Sequence, residues 1–142
     1  VVVLCGGIEM REIFFRAKRK DNGEWVYGFL TKMWGALHII DKANENVAYE
    51  IIPETVGQYS GLFDNDGKTI FEGDIVKEWS SSWKSPLKTE MSVYEVVCEY
   101  LGSLHLIRKT RYGEVSTLLC RKSVVVVIGN IYDNPELLEE KQ

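Results

Sequence analysis

The sequence of 142 residues contains few cysteines, prolines and histidines, and it has no long apolar run. Its three cysteines are odd in number and widely spaced, which excludes a disulfide framework and a zinc ribbon. The longest strongly apolar run is Val124–Ile128, whereas a membrane-spanning helix needs about 20 such residues. We therefore expect no membrane segment, and free thiols in a reducing bacterial cytoplasm.

The chain also lacks an excess of positive charge, because 17 Lys and Arg stand against 21 Asp and Glu for a net charge of −4. This balance argues against a general affinity for nucleic acid or anionic membranes, although it allows a local basic face. No Gly-x-Ser-x-Gly sequence, Walker loop or dinucleotide fingerprint is present. We expect a protein that is not an enzyme and that holds no cofactor or metal.

What the chain does contain is short strand patterns separated by glycine-rich turns. Asp21-Asn22-Gly23 has the composition of a turn that joins the first two strands into a hairpin. The segment from Trp79 to Pro86 is predicted to be a loop, and Asn134 is predicted to cap one short helix over 134–140. The predicted strands cover residues 12–17, 25–30, 37–40, 47–52, 69–71, 75–77, 92–100, 104–108, 115–119 and 124–128.

The predicted fold class is mainly β. We expect an N-terminal β-lobe over residues 10–53, followed over residues 54–142 by an SH3-like small barrel with a short C-terminal helix. One continuous domain is the alternative. The run Val124–Ile128 does not alternate, which is expected for a strand that is covered on both faces or lies at a subunit contact.

Residues 1–9 have two interpretations. Gly6-Gly7-Ile8-Glu9-Met10 back-translates to GGA GGA ATA GAA ATG, which contains a purine-rich ribosome-binding sequence, a spacer and a start codon. On this interpretation translation begins at Met10, and residues 1–9 are a leader that was annotated in error. The alternative is a genuine N-terminal strand, because Val1–Leu4 has high β-propensity.

Candidate sites for chemistry are sparse. Asp64-Asn65-Asp66-Gly67 resembles part of a calcium loop, but positions one and twelve of that loop would not be oxygen donors, so a hairpin turn is expected. Glu72, Asp74 and His105 would be the parts of a composite enzyme site, which we favour least. The turn around Gly73 explains the two acids without any catalysis. His38 and Cys120 are expected to be structural.

Clusters of basic residues lie at the ends of the predicted strands. With exposed aromatic rings from Trp25, Tyr27, Trp34, Trp79 and Trp83, they would form an interface for single-stranded nucleic acid. The alternative is solvated loop charge with the rings in the core. The candidate residues are Arg16, Lys18, Arg19, Lys20, Arg108, Lys109, Arg111, Arg121 and Lys122.

Three segments resemble a known family. The first runs from Met10 to Ala17, the second from Glu54 through Asp64-Asn65-Asp66-Gly67 to Val76, and the third from Ile128 to Leu138. Together they resemble the YopX family of phage and prophage proteins over nearly the whole chain. The nine leading residues and Phe71, where Tyr is common, depart from the family pattern.

The resemblance implies a small, mostly β protein from phages or prophages and no established activity. The strongest motif is explained by folding, with a structural role for Gly57, Gly61, Gly67, Gly73 and Asp74. The first functional hypothesis is an accessory protein that binds a protein or single-stranded nucleic acid. The second is a self-assembling module, in which Val124–Ile128 or an exposed strand edge forms a homo-oligomer contact.

Overall fold

The computed structural model describes residues 2–4, 8–10, 12–81, 89–98, 104–110, 113–119 and 124–139. These residues form antiparallel strands and two short 3-10 turns, without an α-helix among them. The chain divides into two compact units, Val1–Gly61 and Leu62–Gln142. The mainly β fold is confirmed, while the SH3-like barrel and the assignment of residues 10–53 and 54–142 to separate domains stay predictions.

The first unit contains two small groups of strands. One is a hairpin of β1 and β2, and the other is built on β3, β4, β5 and β6, with the start of β7 paired to β3. The strands are β1 (Val2–Leu4), β2 (Ile8–Met10), β3 (Phe15–Lys18), β4 (Trp25–Met33), β5 (Ala36–Asp41), β6 (Ala48–Glu50) and β7 (Gly57–Phe63).

Strands β3 to β6 form a small barrel that is closed by backbone hydrogen bonds. Each strand pairs antiparallel with the next one along the chain. After β6 the chain returns to the end of β3, where Arg19 forms a bridge with Ile51 and the Lys20 amide donates to the Glu50 carbonyl at 2.9 Å. The ring of four strands thereby closes on itself.

The barrel is filled by one buried residue from each side of the ring. Because side chains alternate across a strand, one face of each strand points inward. Ala17, Val26, Ile39 and Ile51 form this core, and all are less than 9% exposed. Gly28 is required where β4 and β5 meet, since a Cβ there would lie 1.8 Å from the Ile40 carbonyl oxygen.

The second unit holds a five-stranded antiparallel sheet in the order β12-β11-β10-β9-β13. The last residues of β7 and the short β8 precede this sheet, and β7 pairs with β8. The strands are β8 (Thr69–Phe71), β9 (Asp74–Ser81), β10 (Thr89–Cys98), β11 (Leu104–Thr110), β12 (Gly113–Leu118) and β13 (Val125–Asn130).

A second hydrophobic core lies on one face of this sheet. Val76 pairs with Tyr94, and Val96 pairs with Leu106, which places these four side chains on the same face of neighbouring strands. Ile70, Leu119 and Val125 complete the cluster. Each unit has its own buried core, as expected for a compact unit.

The outer edge of β13 is covered by the turn that follows β7. The Asp64 carboxylate accepts hydrogen bonds from the amides of Asp66 and Lys68 through Oδ1, and from the amide of Val127 through Oδ2, all at 2.8–2.9 Å. The amide of Asn65 donates to the Val125 carbonyl at 3.0 Å. The turn therefore satisfies backbone groups of β13 that β9 does not reach.

The predicted C-terminal helix is not confirmed as an α-helix. Residues Pro135–Leu138 form a 3-10 turn, and Glu139 is already extended with φ −72° and ψ 126°. Asn134 makes no capping bond to this turn, because its Oδ1 faces the amide of Asn130 at 3.4 Å. Without a cap, four residues are too few to sustain an α-helix.

Three predicted element boundaries are also corrected. Trp79 lies in β9 rather than in a loop, because β10 pairs with β9 as far as Ser81. The segment that was expected to form glycine corners contains the strand Gly57–Phe63. The strand predicted at Val124–Ile128 covers Val125–Asn130 at the edge of its sheet, with Val125 buried and Val124 44% exposed.

Candidate functional site

The hairpin of β4 and β5 carries the most exposed aromatic side chain among the described residues. Its two-residue turn is Trp34-Gly35, with positive φ at both positions, 49° and 81°. Such turns match the twist of a β-hairpin, but only glycine, asparagine and aspartate adopt positive φ readily. Trp34 nevertheless occupies the first position, and it is 91% exposed. A large aromatic residue in a strained and solvated position is a functional candidate.

The neighbouring outer face of the hairpin is also apolar. Tyr27 and Phe29 alternate with inward residues of β4 and are 43% and 38% exposed. Phe29 pairs with Ile40 across the hairpin, and the Trp34 ring meets the His38 ring edge-on at 6.0 Å. Side chains at alternate positions share one face of a strand, so these rings line one side of the hairpin.

A cavity of about 620 Å³ opens at the end of the barrel beside this turn. It lies where β4 ends, β5 begins and the chain after β6 returns to β3. Its wall is apolar and its rim carries charges of both signs. The apolar residues are Ala36, Leu37, Ile51, Ile52 and Pro53, and the charged residues are Lys20, Lys32, Glu50 and Glu54.

An ion pair fixes one side of the rim. Lys20 Nζ donates to Glu50 Oε1 at 2.7 Å. The bond from Lys20 holds the pKa of the Glu50 carboxyl below its ordinary value. Lys32 and Glu54 also line the rim and are exposed. We define the barrel-mouth site as this cavity together with Trp34.

The structure places the first basic cluster beside acids and aromatic rings. Arg16 is 6% exposed, and its guanidinium lies 4.7 Å from the centroid of the Trp25 ring. Lys18 Nζ lies 5.4 Å from the same ring. Arg19 pairs with Asp21, which raises the pKa of the guanidinium and lowers that of the carboxyl. These cations already have partners within the first unit.

The remaining basic candidates are dispersed or lie outside the described residues. Arg108 Nη1 donates to Ser92 Oγ at 3.2 Å, and its guanidinium lies 5.6 Å from the Tyr94 ring. Lys109 lies in β11. Arg111, Arg121 and Lys122 fall outside the described residues, as do Cys120 and Trp83.

Asp74 and His105 of the composite site have structural contacts, as does His38. Asp74 is 1% exposed and accepts a hydrogen bond from the Phe71 amide at 2.8 Å, which closes the turn at Glu72-Gly73. The Nδ1 atom of His105 lies 3.0 Å from Ser116 Oγ, and that of His38 lies 3.1 Å from the Ala36 carbonyl oxygen. Each of the three side chains thus contributes to a turn or to a strand pair.

The glycines of the motif have conformational roles in the backbone. Gly61, Gly67 and Gly73 have φ of 81°, 81° and 85°, a region that disfavours residues with a Cβ. Gly57 instead lies in β7 and pairs with Arg16 on β3. Gly73 is also tightly packed, because a Cβ there would lie 3.2 Å from the ring of Tyr132.

The sequence does not predict the barrel-mouth site, although Trp34 is among the rings expected to stack on bases. The signal that would have revealed it is Trp34-Gly35 between two strand patterns, a two-residue spacing typical of a hairpin turn. The cavity itself depends on the return of residues 50–54 to β3. No local pattern encodes that return.

Two kinds of feature are absent from the described residues. No group of three or more His, Cys, Asp or Glu is arranged there to hold a metal ion. None of the helices in that part of the chain has the length and apolar character needed to cross a membrane.

Comparison with known proteins identifies a family. The family model described as YopX protein matches residues 14–139. Among solved structures, the crystal structure of protein EF1440 from Enterococcus faecalis is similar at 24% sequence identity, with a TM-score of 0.45. The similarity covers 92% of this chain and 100% of that one. The curated proteins include no match to the chain.

Proposed function

The chain belongs to the YopX family, and we propose that it is a non-enzymatic accessory protein of phages and prophages. It acts in the bacterial cytoplasm by binding a protein partner at the barrel-mouth site. The observation that carries this proposal is Trp34, 91% exposed in the turn whose next residues, Gly35 and Ala36, line a cavity of about 620 Å³. Tryptophan is enriched among the residues that dominate binding energy in protein interfaces.

The site offers a partner both an anchor and a pocket. Trp34 projects from a two-residue turn between paired strands, so little conformational entropy is lost when its ring is buried. The cavity accepts an apolar side chain of the partner against Leu37 and Ile52. The rim carries Lys32 and Glu54, which suits a partner surface of mixed charge.

A protein partner is favoured over single-stranded nucleic acid by the electrostatics of the first unit. The unit contains seven Lys and Arg against eight Asp and Glu, a net charge of −1. Arg19 and Lys20 are paired with acids, and Arg16 is buried. Phosphate binding depends on cations that can replace condensed counterions, and these cations already have partners.

The test compares Trp34→Asn with the unchanged chain. Asn-Gly is a favoured pair for this turn, so the substitution removes the ring without adding strain. Proteins retained from a lysate of the host would be identified by quantitative mass spectrometry, and the strongest would be purified. We expect its affinity, measured by isothermal titration calorimetry, to fall about 30-fold or more with Trp34→Asn.

Ile13→Ala is the matched control, because Ile13 is 58% exposed in the same unit but does not line the cavity. It should leave the affinity unchanged. Equal binding by Trp34→Asn and the unchanged chain would overturn the proposal. Fluorescence anisotropy with labelled single-stranded DNA and RNA tests the other hypothesis. Binding that weakens with salt would show that the partner is nucleic acid and not a protein.

A further inference from the structure

We propose that two copies of this chain associate through β12, which pairs antiparallel with β12 of the second copy. The two five-stranded sheets then become one continuous sheet. The inference rests on the edge of the second unit and is independent of the barrel-mouth site. It specifies a homo-oligomer contact and the register of that contact.

The two edge strands of the five-stranded sheet differ in how their outer backbone groups are covered. At one end, the Asp64 carboxylate and the Asn65 amide cover the outer edge of β13. At the other end, β12 pairs with β11 alone, and within the described ranges no strand pairs with its outer edge. An uncovered edge strand is a template for pairing with another chain.

The strand lacks the usual features that block such pairing. Its sequence, Gly-Glu-Val-Ser-Thr-Leu, contains one charged residue, no lysine and no proline. Its residues are exposed except Thr117, which is intermediate. Val115 and Leu118 are 42% and 56% exposed, so the edge also carries apolar surface. Natural edge strands are more often protected by charge, proline or a bulge.

Hydrogen-bonded and non-hydrogen-bonded residue pairs alternate along the hairpin of β11 and β12. This alternation identifies which backbone groups of β12 point outward. Thr110 and Gly113 are Cα partners on either side of a two-residue loop, so they form a hydrogen-bonded pair. The pairs that follow along the ladder are alternately non-hydrogen-bonded and hydrogen-bonded. The amides and carbonyls of Glu114, Ser116 and Leu118 therefore face away from β11.

These three residues are complementary to themselves in the opposite direction. A two-fold axis at Ser116 places Ser116 opposite its own copy and Glu114 opposite Leu118 of the second copy. Three hydrogen-bonded pairs then exchange about six hydrogen bonds. Glu114 does not face its own copy, so the register contains no like-charge pair. A symmetric contact of this kind closes as a dimer.

The first test uses two opposite charges at one exposed position. In the proposed register, Leu118→Lys places a cation opposite each Glu114 of the other copy, whereas Leu118→Glu places an anion there. We expect sedimentation velocity to show a dimer that Leu118→Lys tightens about threefold to tenfold and that Leu118→Glu weakens by a similar factor. Equal effects of the two substitutions, or a monomer at all concentrations, would overturn the proposal.

A second measurement does not depend on any substitution. Hydrogen exchange of the unchanged chain should slow with rising concentration at the outward amides of Ser116 and Leu118. The inward amides of Val115 and Thr117, already bonded to β11, serve as the internal control. Trp34→Asn should leave this self-association unchanged, which separates it from the proposed function. Exchange at Ser116 and Leu118 that is independent of concentration would contradict the pairing.

Discussion

Asp64 joins two segments of the second unit that lie 63 residues apart in the sequence. Its side chain is 7% exposed and serves the amides of its own turn and of β13. A carboxylate that accepts several amide bonds provides stronger hydrogen bonds than a neutral acceptor does. The acidic start of the Asp64-Asn65-Asp66-Gly67 turn, which superficially resembles a calcium loop, is thereby explained by a structural role.

Replacing Asp64 with alanine should strongly destabilise the protein. Three amides would lose their acceptor in part-buried hydrogen bonds, at a cost of about 2–4 kcal/mol in the free energy of unfolding. Urea denaturation followed by fluorescence measures this loss. Asp66→Ala is the control, because Asp66 is exposed and should cost less than about 0.5 kcal/mol. Similar losses for both variants would refute the role of Asp64.

A second prediction at the residue scale concerns the cost of adding a side chain at Gly73. Gly73→Ala and Gly67→Ala face the same conformational penalty of about 1–2 kcal/mol, because both positions have φ above 80°. Only Gly73 has neighbours within 4 Å of an added Cβ, namely Ile131 and Tyr132. We expect Gly73→Ala to lower the melting temperature more than Gly67→Ala, and Gly73→Val to lower it further. An unchanged melting temperature for Gly73→Val would exclude the strained turn.

At the scale of the element, the sequence predicts strands well where hydrophobic residues alternate between clear turns. Thr69–Phe71 is predicted with both boundaries correct, and the start of β4 at Trp25 is also correct. The strand β7 is missed because its glycines suggest corners. Burial of neighbouring residues overrides that local preference.

The C-terminal turn illustrates a different limit. Asn134 followed by Pro135 has the sequence of a helix start. Its side chain instead contacts the backbone at Asn130, and Leu137 lies 2.9 Å from the position of a Cβ on Gly129. These tertiary contacts hold a single 3-10 turn. A local sequence pattern does not reveal such contacts. It does not reveal the cavity either, because the cavity forms only when strands β3 to β6 close into a ring.

At the scale of the whole molecule, three ion pairs in the first unit make its stability depend on pH. Hydrogen bonds from Lys42, Arg19 and Lys20 lower the pKa values of Glu12, Asp21 and Glu50 respectively. A lowered pKa in the folded state stabilises the fold above the ordinary value, and this stabilisation is lost as pH falls through the lowered value. The relevant window therefore lies below the ordinary values of 3.8 and 4.5.

We expect the melting temperature to fall as the pH is lowered through that window, and less steeply in high salt, because exposed pairs are screened. Differential scanning calorimetry across pH and salt measures this. Glu50→Gln should remove part of the acid sensitivity. The pKa of Glu78 in the second unit shifts in the opposite direction, because burial raises it. Glu78→Gln should therefore raise the melting temperature at pH 7 and lose this advantage in acid.

The closed ring of the first unit also has a consequence for synthesis on the ribosome. Every hydrogen bond that closes the ring lies within the first 61 residues, and its closing bridge joins Arg19 to Ile51. The barrel can therefore close while the second half of the chain is still being translated. Strand β13, in contrast, finds its partner β9 only after residues 125–130 have been synthesised. The nascent protein would leave the exit tunnel with the Trp34 surface complete before the sheet edge at β12 exists.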